Sequence, residues 1–175
     1  KETYRYEKYF RNIRRGIAMN NEKQLKLCFA SSSGGHYEQL MMLKPLMEKY
    51  NSFIVTEKTE YQVNSDNQRT YYLFQTNREE KGCIFRLIGN FFKSLWIIIK
   101  EQPDMIICTG VLAVIPLCLL GKLFRKKFIY IESFAKVTSP TLSGKLLYKY
   151  ADQFYVQWPQ MKEIYPDAIY LGGIY

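Results

Sequence analysis

Gln24-Leu25-Lys26-Leu27-Cys28-Phe29-Ala30-Ser31-Ser32-Ser33-Gly34-Gly35-His36 runs from an apolar stretch into a loop of small residues. Residues 24–30 read as a buried strand, and the Ser/Gly loop as the turn from that strand into a helix over 37–50. The same alternation continues outward. Strands are expected at 52–56 and 70–74, separated by a polar loop over 58–68. A long helix over 83–101 is stopped by Pro103. A strand over 105–109 follows, and Gly110 opens the next helix. Residues 127–132, 153–157 and 168–171 read as further strands, with a helix over 143–150. Strands alternating with helices imply crossover connections and a mostly parallel sheet, so the fold class is α/β and Rossmann-like. In such sheets ligands bind outside the carboxyl ends of the strands. That rule singles out 31–36, Thr109-Gly110 and 132–136.

The chain has 175 residues, 47% of them hydrophobic, which is ample material for one core. Two parts are expected: a basic amphipathic N-terminal helix or leader over 1–20, and a Rossmann-like domain over 21–175. In the leader, Tyr6, Tyr9, Phe10, Ile13 and Ile17 share one helical face, and Lys1, Arg5, Lys8, Arg11, Arg14 and Arg15 supply charge. The formal net charge of +9 favours an anionic partner. Nucleic acid is set aside, because the basic residues are dispersed and no nucleic-acid motif is present. A single His and four Cys without C-x-x-C spacing argue against a metal site. Residues 105–121 carry no charge but are interrupted by Thr109-Gly110 and Pro116, and read as strand, turn and helix rather than a membrane span.

In the first loop, Ser33, Gly34 and Gly35 let backbone N–H groups approach a phosphate at a helix start. The spacing is not that of a dinucleotide or ATP loop, so neither cofactor is expected. His36, at that helix start, is a candidate base, and a positive helix end favours its neutral form. Its bland alternative is a packing or capping His. Thr109 and Gly110 offer a second close approach, or simple turn chemistry. Glu132 ends a strand and can orient or deprotonate a sugar hydroxyl, while Lys136 can hold a phosphate. The alternative for that pair is a surface ion pair.

The helix over 84–100 places Arg86, Lys93 and Lys100 in one narrow basic stripe. Leu87, Ile88, Phe91, Phe92, Leu95, Ile98 and Ile99 fill the opposite half, with Trp96 at the border. This is the pattern of a helix lying in an anionic membrane interface. An ordinary core-facing helix is the alternative.

The string from Pro103-Asp104 through Cys108-Thr109-Gly110 to Pro116, then Tyr130-Ile131-Glu132-Ser133, Ser143-Gly144-Lys145, Ala151-Asp152, Gln157-Trp158 and Tyr165-Pro166, resembles bacterial capsule and exopolysaccharide proteins of the CpsF/EpsE/PssD type. Those in turn are similar to the membrane-anchor subunit of the eukaryotic two-chain N-acetylglucosaminyltransferase of dolichol-linked oligosaccharide assembly. The Ser-Gly-Gly-His loop resembles the acceptor-domain loop of MurG-like transferases. The resemblance implies the N-terminal, acceptor half of a GT-B glycosyltransferase whose UDP-sugar-binding half is a separate subunit. It also implies inverting transfer to a lipid-diphosphate-linked saccharide in capsule or exopolysaccharide synthesis. Peripheral attachment at the cytoplasmic face of the plasma membrane is expected, without a cofactor. Gly34, Gly35 and His36 would approach the acceptor, and Glu132 would orient or activate its hydroxyl. Lys136 stands where many relatives carry Arg, keeping the charge without the bidentate fork. The basic leader stands where eukaryotic relatives have an apolar anchor helix. The alternative of another class is a non-catalytic membrane anchor that stabilises the catalytic partner.

Overall fold

The computed structural model describes residues 8–9, 11–13, 25–59, 68–110 and 112–174. Seven strands form one sheet: β1 Lys26–Ala30, β2 Asn51–Glu57, β3 Thr70–Leu73, β4 Met105–Cys108, β5 Lys127–Ile131, β6 Gln153–Val156 and β7 Ile169–Tyr170. Their order is β3-β2-β1-β4-β5-β6-β7 and every pairing is parallel. The order reverses between β1 and β4, which makes the crevice outside their carboxyl ends the topological switch point. The helices are α1 Gly35–Met41, α2 Lys44–Lys49, α3 Cys83–Glu101, α4 Ile115–Leu123 and α5 Leu142–Leu147. The expected Rossmann-like parallel α/β sheet is thus what the chain forms.

Each central strand is covered on both faces, which explains its unbroken apolar run. On one face Cys28, Ala30, Phe53, Val55, Ile106 and Phe128 pack against Ile97 and Ile98 of α3 and Leu117 and Cys118 of α4. On the other, Leu27, Phe29, Ile54, Ile107 and Ile129 pack against Leu40 of α1 and Met47 of α2. Tyr9 and Ile13, from the expected N-terminal leader, are buried in this second cluster. The Tyr9 hydroxyl donates to the Gly172 carbonyl at 2.7 Å. Tyr6, Phe10, Ile17, Lys1, Arg5, Arg14 and Arg15 lie outside the described residues, as do Gln24 and most of the expected polar loop.

Two local differences from expectation have plain causes. The single helix expected over 37–50 is broken at Met42 and Leu43, because Pro45 has no N–H to continue the ladder and instead sits in the first turn of α2. The turn expected after β4 includes a short 3-10 helix, Leu112–Val114, before Pro116 enters the first turn of α4.

At the amino edge of the sheet, α3 ends in a buried charge cluster. Glu101 lies 2.6 Å from the Lys26 ammonium and 3.0 Å from Arg69, and accepts from the Tyr71 hydroxyl. Burial alone would raise its pKa. Hydrogen bonds from Lys26 and Tyr71 and the charges of Lys26 and Arg69 outweigh burial and hold it at about 2. A carboxyl depressed in the folded state stabilises above its unfolded pKa and loses that contribution as pH falls through the folded value. Glu101→Gln is therefore expected to lower stability at neutral pH by about 2 kcal/mol, the scale of one hydrogen bond to a charged group. In urea melts the gap between parent and variant should close as pH drops from about 4 towards 2. A gap that does not change with pH would remove the charge from this account.

Candidate functional site

The switch point holds the expected His36 and Thr109-Gly110 together. Strand β1 delivers loop 31–36 and β4 delivers 109–110 to the same crevice. His36 Nδ1 lies 2.8 Å from the Thr109 carbonyl, and the Thr109 hydroxyl donates to the His36 carbonyl at 2.8 Å. A carbonyl only accepts, so Nδ1 carries the proton; in the neutral ring Nε2 then holds the lone pair. Nε2 has no hydrogen-bond partner among the described residues. Gly110 has φ 113°, and a Cβ there would press on the imidazole at 3.1 Å from Nδ1. The glycine is thus required by backbone conformation and by the ring beside it.

Gly34 has φ 70°, which permits the sharp turn into α1. Apart from neighbouring residues and the backbone of α1, no described atom lies within 4 Å of a Cβ built on Gly34 or Gly35. Ser33 differs from expectation. Its N–H and its hydroxyl both point at Glu57 Oε2, each at 3.4 Å, so its N–H is directed at a carboxylate rather than at a phosphate. Glu57 ends β2 and is buried, and its Oε1 accepts from the Thr76 N–H at 3.0 Å.

Glu132 is where the carboxyl-edge rule put it, but in a different setting from the one expected. It is 1% exposed. Oε1 accepts from the Ser133 N–H and the Thr141 hydroxyl, both at 2.9 Å. Oε2 accepts from the Thr141 N–H at 3.3 Å and the Tyr165 hydroxyl at 3.2 Å. Four donors occupy the carboxylate, and none is Lys136. Lys136, half-buried, closes a turn through its N–H to the Ser133 carbonyl at 3.0 Å. Burial, then the nearby Glu132 charge, pushes the Tyr165 and Tyr130 hydroxyls to higher pKa, which keeps them protonated. Thr141 also caps α5, accepting from the Gly144 N–H at 2.8 Å.

Sequence reasoning missed two glutamines that complete this rim. Gln39 of α1 and Gln157 after β6 both donate to the Glu132 carbonyl, at 3.2 and 2.8 Å. Gln39 also accepts from the Phe134 N–H, and Gln157 from the Ile174 N–H. Gln157 stood in the sequence only as part of the Gln157-Trp158 motif, with no role given, and Gln39 carried no signal of its own.

Helix α3 divides into three sectors. Asn90, Ser94, Ile97, Ile98 and Glu101 face inward. Ile84, Phe85, Ile88, Phe91, Phe92, Trp96 and Ile99 are exposed, Phe85 at 78% and Phe92 at 63%. The basic stripe lies between these sectors, and its side chains make contacts with the protein, while Arg86 and Lys100 stay exposed. Arg86 pairs with Glu80 and donates to the Gln75 carbonyl at 3.2 Å. Lys93 donates to the Tyr72 carbonyl at 3.1 Å and lies 3.7 Å from the Phe74 ring. Lys100 lies over Trp96. Among the described residues no helix is long and apolar enough to cross a membrane.

Residues 27–174 match the family described as "Oligosaccharide biosynthesis protein Alg14 like". The chain is 28% identical to the UDP-N-acetylglucosamine transferase subunit ALG14 of Homo sapiens, over 93% of this chain and 88% of that one. It is 30% identical to the Mus musculus subunit of the same name, over 87% and 84%. Among solved structures it is similar to Acinetobacter baumannii MurG, with a TM-score of 0.65 at 13% identity over 78% of this chain and 42% of that one. A UDP-N-acetylglucosamine 2-epimerase from Rickettsia bellii gives a TM-score of 0.68 at 10% identity, over 87% and 46%. The chain spans less than half the length of these two structures.

The rim depends on a missing side chain. A Cβ on Gly144 would run into Glu132 Oε2 and stand 2.8 Å from both the Thr141 and Tyr165 hydroxyls. In an open helix Gly→Ala stabilises by about 1 kcal/mol. Gly144→Ala is expected to reverse that sign and destabilise by about 1–3 kcal/mol, the scale of overpacking, measured by chemical denaturation.

Proposed function

The chain belongs to the Alg14-like family of oligosaccharide biosynthesis proteins, and from that premise we propose that it is the acceptor-side, membrane-associating subunit of a split, inverting glycosyltransferase. A separate subunit supplies the UDP-sugar, and the acceptor is a lipid-diphosphate-linked saccharide. The observation that carries the reading is His36 at the switch point. Its Nδ1–H is tied to the Thr109 carbonyl and its Nε2 has no partner among the described residues, beside Gly34 and Gly35, where an added Cβ would meet no described side chain. In the transfer an acceptor hydroxyl oxygen bonds to the sugar's anomeric carbon as the bond to UDP breaks on the opposite face. The hydroxyl proton passes to Nε2. Glu132, with four donors and almost no exposure, suits a positioning role rather than that of the base. It holds loop 132–141 and the start of α5 in place.

The outward apolar face of α3 supports the lipid side of the reading. This helix follows β3 and leads into β4, which are both parallel to the rest of the sheet. Its first turn, with Ile84 and Phe85, therefore lies at the carboxyl edge with His36. A helix lying in the interface along this face brings the headgroup layer to the site's own edge. The setting in capsule or exopolysaccharide synthesis, and the cytoplasmic face of the plasma membrane, rest on the sequence resemblance. The relatives described above are eukaryotic transferase subunits.

Two measurements test this. In the complex with the donor subunit, transfer from UDP-N-acetylglucosamine to a lipid-diphosphate-linked saccharide is expected to fall about 10²–10⁴-fold for His36→Ala. Gly35→Ala should leave stability intact, since among the described residues its methyl meets only the backbone around it, yet raise the acceptor KM. A His36→Ala complex that forms and turns over within a few fold of the parent identifies the chain as a non-catalytic anchor instead. Separately, the exposed pair Phe85→Ser and Phe92→Ser should release the chain from anionic vesicles in a flotation assay. Stability should change by no more than about 0.5 kcal/mol, as for other surface positions. Unchanged flotation would remove α3 from the membrane surface.

A further inference from the structure

We infer that Glu57 is a positioning residue that ties loop 31–36 to α3, so that seating α3 on an anionic lipid surface holds the loop in its working position. This rests on the membrane reading of α3 given above. The chain of contacts begins on the helix. Arg86, Gly89, Asn90 and Lys93 recur at helical spacing and all meet the segment that leaves β3. Asn90, fully buried, accepts from the Phe74 N–H at 2.7 Å and donates to the Phe74 carbonyl at 2.9 Å and the Thr76 hydroxyl at 3.1 Å. A Cβ on Gly89 would stand 2.8 Å from the Phe74 ring, so the glycine lets that ring lie against the helix. Arg86 and Lys93 hold the Gln75 and Tyr72 carbonyls on either side. Segment 72–76 is thus fastened along α3 and follows it.

From there the connection passes to the site. The Thr76 N–H donates to Glu57 Oε1 at 3.0 Å, and Ser33 offers its N–H and hydroxyl to Oε2 at 3.4 Å. Glu57 is 5% exposed and has no ion pair among the described residues. A buried carboxylate without a cation is held only by the donors that converge on it. Here those donors come from two separate segments, so the carboxylate is the joint between them. Both Ser33 contacts are at the long end of hydrogen bonding, where a small advance or retreat of segment 74–76 makes or breaks them. Past Ser33 only Gly34, with φ 70°, separates the loop from the first turn of α1, which carries His36.

Amide hydrogen exchange on the full chain, with and without vesicles of phosphatidylcholine and phosphatidylglycerol, tests the joint directly. In the parent, amides of 31–37 and of 74–77 should both exchange more slowly on vesicle binding, by roughly tenfold. Glu57→Gln places an NH₂ against donors. It should still float with vesicles and still slow at 74–77, while 31–37 keeps its vesicle-free rate. Slowing at 31–37 in the variant equal to the parent overturns the proposal. So does a parent that slows at 74–77 but not at 31–37. A parent that does not float overturns the membrane reading, and this inference with it. If Glu57→Gln does not fold, Ser33→Ala, which removes only the hydroxyl donor, should lose at least about half of the loop's slowing on a logarithmic scale. Retention of all of it counts against the joint.

Discussion

Seven strands that all run the same way bring seven carboxyl ends to one edge, and the backbone groups there have no further strand to pair with. Buried N–H and C=O groups must still find partners. The chain meets that demand with side chains drawn from its helices and strand ends. Gln39 and Gln157 both donate to the Glu132 carbonyl. Glu132 gathers the N–H groups of Ser133 and Thr141, and Glu57 those of Ser33 and Thr76. The price of this arrangement is two buried carboxylates without ion pairs among the described residues. The result is a rim of satisfied backbone groups around the switch point, where His36 stands.

The same economy explains an inverted helix. An ordinary covering helix turns its apolar stripe to the sheet. Helix α3 turns Asn90, Ser94 and Glu101 inward with Ile97 and Ile98, because it must hold both the exit of β3 and the charge cluster at the opposite edge. Its remaining apolar residues are left outside, in a contiguous sector larger than scattered surface hydrophobes need. Polar fastening and apolar exposure are therefore one design, and the exposed apolar surface is backed by the segment that reaches Glu57.

The order and kind of the elements were legible, because strands buried on both faces leave continuous apolar runs and Pro and Gly mark their ends. Parallel pairing then directed attention to His36, Thr109, Gly110 and Glu132. The surroundings of Glu132 were not legible. Its partners Thr141 and Tyr165 are far along the chain, and only packing reveals that Gly144 leaves room for the carboxylate. Glu57 carried the same signal as Glu132, an acidic residue ending an apolar strand. It was passed over because the strand was expected to stop at Thr56. The basic stripe of α3 was read correctly as a stripe, but periodicity cannot say whether Arg86 and Lys93 reach outward or back. The tertiary partners Glu80, Tyr72 and Phe74 decide that.

The two strand-end carboxylates are alike in sequence and differ in stiffness. Glu132 receives four donors at 2.9–3.3 Å, including the N–H of the next residue and the capping group of α5. Moving it would break a helix cap and a strand end together, so the β5 side of the rim is fixed. Glu57 receives three donors, two of them at 3.4 Å, from two separate segments. The β2 side of the rim can therefore yield. His36 sits between the two. Its ring and its backbone carbonyl are both bonded to Thr109, next to the fixed half, while the chain that leads to it passes through Ser33 and the two glycines on the yielding half. A ring held in this way keeps its tautomer and orientation from one side, while the chain that leads to it comes from the other. The yielding side is the one fastened to α3, the helix with the exposed apolar face.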